Sequence, residues 1–133
     1  MLTSDTTAGT NATAIQYNNL RGDMVLGNKI IGTDTDGATV TFDMSVGTKG
    51  NIRRVVLGGN RTLALSNVSV GQVFIIQLVQ DSTGSRTVTW FTTIAWTGGV
   101  APTLTTTLNK TDVFGFICTS AGNYQGFILG MNL

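Results

Sequence analysis

Few side chains in this sequence are suited to bind a cation, attack an electrophile or move a proton. Asp34-Thr35-Asp36-Gly37 sets two carboxylates one residue apart ahead of a glycine, which has the form of the start of a calcium loop. Such a loop needs a third oxygen donor before its glycine and a distal bidentate Glu. The chain has no Glu, so a loop capped by aspartates is the stronger reading. Cys118 is the single thiol, and there is no His to serve as its base. It falls in one strand register with Phe114 and Phe116, which predicts a buried, inert cysteine. All seven acids are Asp, only Asp34 and Asp36 lie close together in sequence, and no phosphate-cradling loop is present. These residues predict no catalytic constellation, no metal site and no cofactor.

Short motifs give little more. Arg21-Gly22-Asp23 matches a tripeptide that integrin ligands display on exposed loops, but here it falls within a predicted helix. Asn11-Ala12-Thr13, Asn60-Arg61-Thr62, Asn67-Val68-Ser69 and Asn109-Lys110-Thr111 fit the glycosylation pattern and read better as turn residues. Arg53 and Arg54 are neighbours on a predicted strand, so their side chains leave opposite faces and form no phosphate clamp. One of them could pair across strands with Asp43. The aromatic residues Trp90, Phe91, Trp96 and Tyr124 are the best candidates for a binding surface, since aromatics in loops of a β-module stack on sugars. Trp90, inside an alternating strand, reads as core. Trp96, beside Gly98-Gly99, reads equally well as core or as surface. Trp96 and Tyr124 are the candidate recognition residues.

The elements that must position these residues are mostly strands. Residues 1–13 are small and polar and predict an extended arm. Thr13-Ala14-Ile15-Gln16 has the form of a capping box. Tyr17, Leu20 and Met24 follow at helical spacing, and Gly27 supplies a stop, so one short helix is expected over 14–26. Past Gly37 the period becomes two. Ala38, Val40, Phe42, Met44 and Val46 alternate with polar residues as a half-buried strand. Strands follow over 52–57 and 61–65, with Gly58-Gly59-Asn60 as a hairpin signal. Further strands are expected over 72–80, 87–91, 103–108 (a Thr-rich edge), 113–118 and 127–131, with turn residues between them. Short connections predict antiparallel hairpins for most pairings, and no fixed-period repeat is visible. The expected fold is all-β: an antiparallel β-sandwich or barrel-like module over 38–133, preceded by an arm and short helix over 1–37.

Composition narrows the function classes. Only 11% of the 133 residues are charged and the net charge is +1, so there is no electrostatic case for nucleic acid or an anionic membrane. Mean hydropathy is +0.21, yet no apolar run approaches the ~18 residues of a membrane helix. Met1-Leu2-Thr3-Ser4-Asp5 has neither a basic nor an apolar leader region, which predicts synthesis without secretion. Twenty-three Thr suit the solvent face of sheets. The remaining apolar surface predicts burial against neighbouring chains, hence a homo-oligomer or a part of a larger assembly.

The order and spacing of several segments carry a family resemblance. Gly71-Gln72-Val73-Phe74, Gln80-Asp81-Ser82-Thr83-Gly84-Ser85-Arg86-Thr87-Val88-Thr89-Trp90, Trp96-Thr97-Gly98-Gly99, Pro102-Thr103-Leu104, Asn109-Lys110-Thr111-Asp112-Val113-Phe114 and Tyr124-Gln125-Gly126-Phe127 together resemble a β-module of tailed-bacteriophage structural proteins. That module is often seen near the C-termini of tail-fibre and head-associated proteins. Ala14-Ile15-Gln16-Tyr17-Asn18-Asn19-Leu20-Arg21 is similar to a segment that often precedes it. The resemblance implies a non-enzymatic virion component, assembled in the host cytoplasm and commonly trimeric. It would be a capsid decoration or head-fibre protein, or a small tail-associated one. Its partners would be copies of itself and other virion proteins, such as the major capsid or tail proteins. Ile15, Tyr17, Leu20 and Met24 would then dock the chain on the particle. A receptor- or glycan-binding fibre tip, reading a host surface glycan through Trp96 and Tyr124, is the competing expectation.

Overall fold

A computed structural model describes residues 31–45, 47 and 49–133. The helix expected over 14–26, with Ile15, Tyr17, Leu20 and Met24, lies outside the described residues, as does Arg21-Gly22-Asp23. The described chain is mostly β. Its strands are β1 (Ile31–Thr33), β2 (Thr39–Asp43), β3 (Ile52–Leu57), β4 (Arg61–Ser66), β5 (Val73–Gln80), β6 (Val88–Thr89), β7 (Ile94–Trp96), β8 (Thr111–Ser120) and β9 (Asn123–Gly130). A single 3-10 turn, Thr97–Gly99, follows β7.

The strands form a six-stranded sheet in the order β1-β3-β5-β8-β9-β7 and a three-stranded sheet in the order β2-β4-β6. Through β6 the chain alternates between them, so each strand stacks beside the strand two before it. β1–β3, β3–β5, β2–β4 and β4–β6 are therefore parallel, as is β7–β9. Only β5–β8 and β8–β9 are antiparallel among the described pairings. This corrects the expectation of mostly antiparallel hairpins. Parallel neighbours need a long crossover, and here a strand of the other sheet provides it. Gly58-Gly59-Asn60 is thus a corner between sheets and not a hairpin turn. Asn60 Oδ1 accepts from the Thr87 amide at 3.0 Å, which holds that corner against the next one. The stack also has a repeat that the sequence hides. Ile31, Ile52 and Ile75 sit side by side, as do Arg61 and Val88, but their sequence offsets are unequal.

Two expected strands are reduced. β6 keeps only Val88 and Thr89 of the run 87–91. Residues 103–108 are not a strand; they lie along the 81–87 loop, where Thr106 O accepts from Ser85 N at 2.8 Å and Thr105 N donates to Asp112 Oδ2 at 2.7 Å. Local loop bonds take the donors that a ladder would have used.

Both sheets feed one apolar cluster. Val40, Phe42, Met44 and Leu63 enter it from the three-stranded sheet. Val55, Leu57, Phe74, Ile76, Leu78, Phe114 and Phe116 enter it from the six-stranded sheet. The alternation read in Val40, Phe42 and Met44 is present and all three are buried. Cys118 is buried beside them as a free thiol.

One charge lies inside this cluster. Arg53 is only 1% exposed, between the inward residues of β3. Its Nε donates to Asp34 Oδ2 at 2.9 Å and its second guanidinium nitrogen to Asp34 Oδ1. The remaining nitrogen donates to the Asp43 carbonyl and approaches Met44 Sδ at 3.4 Å, with the Phe42 ring 6.0 Å away. Arg53 thus pairs with the Asp34 carboxylate and takes only the backbone of Asp43, where pairing with Asp43 had been an option. Removing one partner of a buried pair leaves an uncompensated charge. Arg53→Met is expected to destabilise the fold by about 3–5 kcal/mol, and adding Asp34→Leu to recover much of that loss, read as midpoints of urea unfolding.

Candidate functional site

The candidate recognition residues meet at the edge of the six-stranded sheet. β7 joins β9 in parallel, with Ile94 opposite Tyr124 and Trp96 opposite Gly126. Both rings turn into the chain. Tyr124 is 8% exposed, packing 5.2 Å from Phe91 and 6.2 Å from Phe74 between ring centroids. Burial raises its phenol above the ordinary value of 10.0. Tyr124 is therefore a core residue and not a surface for stacking. Trp96 is half-buried, 5.0 Å from Trp90 and 5.6 Å from Phe116. Trp90 in turn sits edge-on to Phe114 at 4.9 Å. Edge-to-face rings at these separations add to the burial itself, at about 0.5–1.5 kcal/mol per pair.

Gly126 makes room for this packing. A Cβ there would stand 2.7 Å from two atoms of the Trp96 ring and 2.7 Å from Ile94 Cγ2. Gly126→Ala is accordingly expected to cost about 1–3 kcal/mol and to move Trp96, visible as a changed near-UV circular dichroism spectrum and a red-shifted tryptophan emission.

The acids act as struts. Asp34 is tied to Arg53, with Lys49 Nζ 3.6 Å away. Asp36 takes Arg61 Nε at 2.8 Å and its terminal nitrogen at 2.7 Å, and that guanidinium holds the carboxyl below its ordinary value. Asp34 and Asp36, one residue apart as at the start of a cation loop, are thus turned to two different arginines, one buried and one at the first position of β4. Asp81 accepts from the Thr83 and Gly84 amides at 3.0 and 2.9 Å and pairs with Arg86 at 2.8 Å. Asp43 accepts from Asn67 Nδ2 at 3.0 Å and from the Ser45 amide and hydroxyl. Buried Asp112 accepts from the Thr105 and Asn132 amides at 2.7 and 2.9 Å, pinning the chain end beside β8. Among the described residues, no three His, Cys, Asp or Glu side chains converge as metal ligands.

Two of these carboxylates make stability depend on pH. Hydrogen bonds from Arg86 and neighbouring amides lower Asp81 to about 2, and bonds from Asn67 and Ser45 lower Asp43 to about 2, both from 3.8. A depressed folded-state value means the stabilisation is complete above the unfolded value and disappears as pH falls through the folded one. The melting temperature is expected to fall between about pH 4 and pH 2, and Asp81→Asn to flatten that part of the profile.

A feature that had not been singled out lies on the outer side of the six-stranded sheet. Val56, Val73, Phe127 and Leu129 are exposed there. The signal was the run Val73-Phe74-Ile75-Ile76, apolar at both parities, which is the pattern of a strand covered on both faces.

No family model, curated protein or solved structure matches the chain.

Proposed function

We propose that this chain is a non-enzymatic structural component of a tailed-bacteriophage particle, a capsid decoration or head-fibre protein or a small tail-associated one. The observation that carries this reading is the use of its acids. Asp34, Asp36, Asp43, Asp81 and Asp112 each hold a backbone corner or an arginine. Charged side chains used this way fix a shape, and what the shape offers a partner is contact area. The sequence resemblance supplies the class of particle. The two sheets with their common core are read as a sandwich-like module that packs with copies of itself, a trimer being the order the resemblance implies. Of the segment 1–37, the part before β1, with Ile15, Tyr17, Leu20 and Met24, docks the module on a neighbouring virion protein, such as the major capsid or a tail protein, while Ile31–Thr33 belongs to the six-stranded sheet. Burial of Tyr124 within the chain favours this reading over glycan recognition.

Deletion of residues 1–27 tests the docking role. The shortened chain is expected to keep the thermal unfolding transition and near-UV circular dichroism spectrum of the β-module and to lose association with particles in sedimentation assays. A shortened chain that still decorates particles overturns it.

A further inference from the structure

The register of the six-stranded sheet aligns its outward residues into rows. Ile31, Ile52, Ile75, Gly115 and Phe127 form one row across five strands. Val73 and Ile117 lie in the row beside it, and Val56 and Val79 form another, four residues along β3 from Ile52. Leu129 leans over Gly115, where a Cβ would meet its Cδ1 at 3.0 Å. Val73 is 57% exposed, Leu129 56% and Ile31 51%, while Val79 is only 6% exposed, so among the described residues this face is open except at its Val79 corner. Between the apolar rows runs a short polar one, Thr33–Arg54–Gln77. Arg54 is the single charge among these outward positions and makes no ion pair among the described residues.

We infer that this face is the self-association surface, covered by the same face of other copies of the chain; the inference rests on the oligomer part of the proposed function. Two observations select a second copy as occupant. The first is area. Four strands of six residues and the three residues of β1, at about 4.8 Å spacing and about 3.3 Å rise, make a face of roughly 430 Å², and two such faces give roughly 860 Å², the size of a weak, reversible interface. The second is self-complementarity. β3 and β5 are parallel and in register, so Ile52 and Ile75 share one height, Arg54 and Gln77 the next, and Val56 and Val79 the next. A symmetry axis along the strands brings equal heights of two copies together. Apolar rows then meet apolar rows, and the Arg54 guanidinium of one copy meets the Gln77 amide of the other, where it donates to the side-chain oxygen. A second copy repeats the same rows at the same heights and offers the Arg54 guanidinium an acceptor in Gln77.

The test uses the full chain. Sedimentation equilibrium is expected to show an oligomer, and Val56→Glu and Val73→Glu each to raise its dissociation constant on the order of a hundredfold by placing an unpaired charge in the interface. Hydroxyl-radical footprinting of the unmodified chain gives a readout independent of any variant. Phe127 and Leu129 are expected to be protected at high concentration and oxidised on dilution. An oligomer that survives both substitutions with Phe127 freely oxidised overturns the face assignment and leaves the oligomer reading intact. A monomeric chain overturns both. A monomer in which Phe127 stays protected shows that residues 1–30 of the same chain cover the face.

Discussion

The fold depends on one buried cation. Arg53 belongs to the six-stranded sheet, and its guanidinium holds the Asp34 carboxylate at the end of β1 and the Asp43 carbonyl at the end of β2. Three successive strands from two sheets are thereby fixed to one planar group. Burial of a charge opposes folding unless its partners are in place, so the network is formed completely or not at all. The apolar cluster supplies the driving force, and it is indifferent to how the sheets are rotated against one another. Arg53 is not, because its donors point in fixed directions. Asp36–Arg61 and Asp81–Arg86 repeat the device at later corners, nearer to solvent, where the same pairing is worth less.

Much of the fold was legible where one face of a strand is wet. The alternation of Val40, Phe42 and Met44 with polar neighbours names its inward residues unaided, and all three are buried. Legibility failed where both faces are apolar. In Ile52-Arg53-Arg54-Val55-Val56-Leu57 the two arginines clearly leave opposite faces, but Ile52 and Val56 compete with Val55 and Leu57 for the inside. Which arginine is buried was therefore not readable. Pairing direction was hidden for another reason. A short glycine-containing connection returns a strand antiparallel to its neighbour or lifts it onto the facing sheet, and the same residues serve both. The Thr-rich stretch 103–108 has strand propensity, but its amides find Asp112 and the neighbouring loop first.

The candidate site was legible in part. That Trp90, Trp96 and Tyr124 matter was readable from residue type. The inward turn of Trp96 was not, because it depends on Gly126, which leaves space on β9 for the indole. A glycine opposite an aromatic becomes informative only once the register joining β7 to β9 is known. The outer face followed the same logic: its residues were each visible as strand formers, but only the parallel register brings them to common heights.

The order of strands also decides how the module would bear a load. At its amino end the described chain begins with β1, three residues long and held to β3 along one side alone. A pull there acts at an edge and opens ladder bonds one after another. At the carboxyl end Leu133 and Thr111 exchange both backbone hydrogen bonds, each 3.0 Å, next to the long β8–β9 ladder. The two ends of the described chain are thus held unequally, one by a three-residue edge strand and the other by a reciprocal backbone pair beside an eight-residue strand.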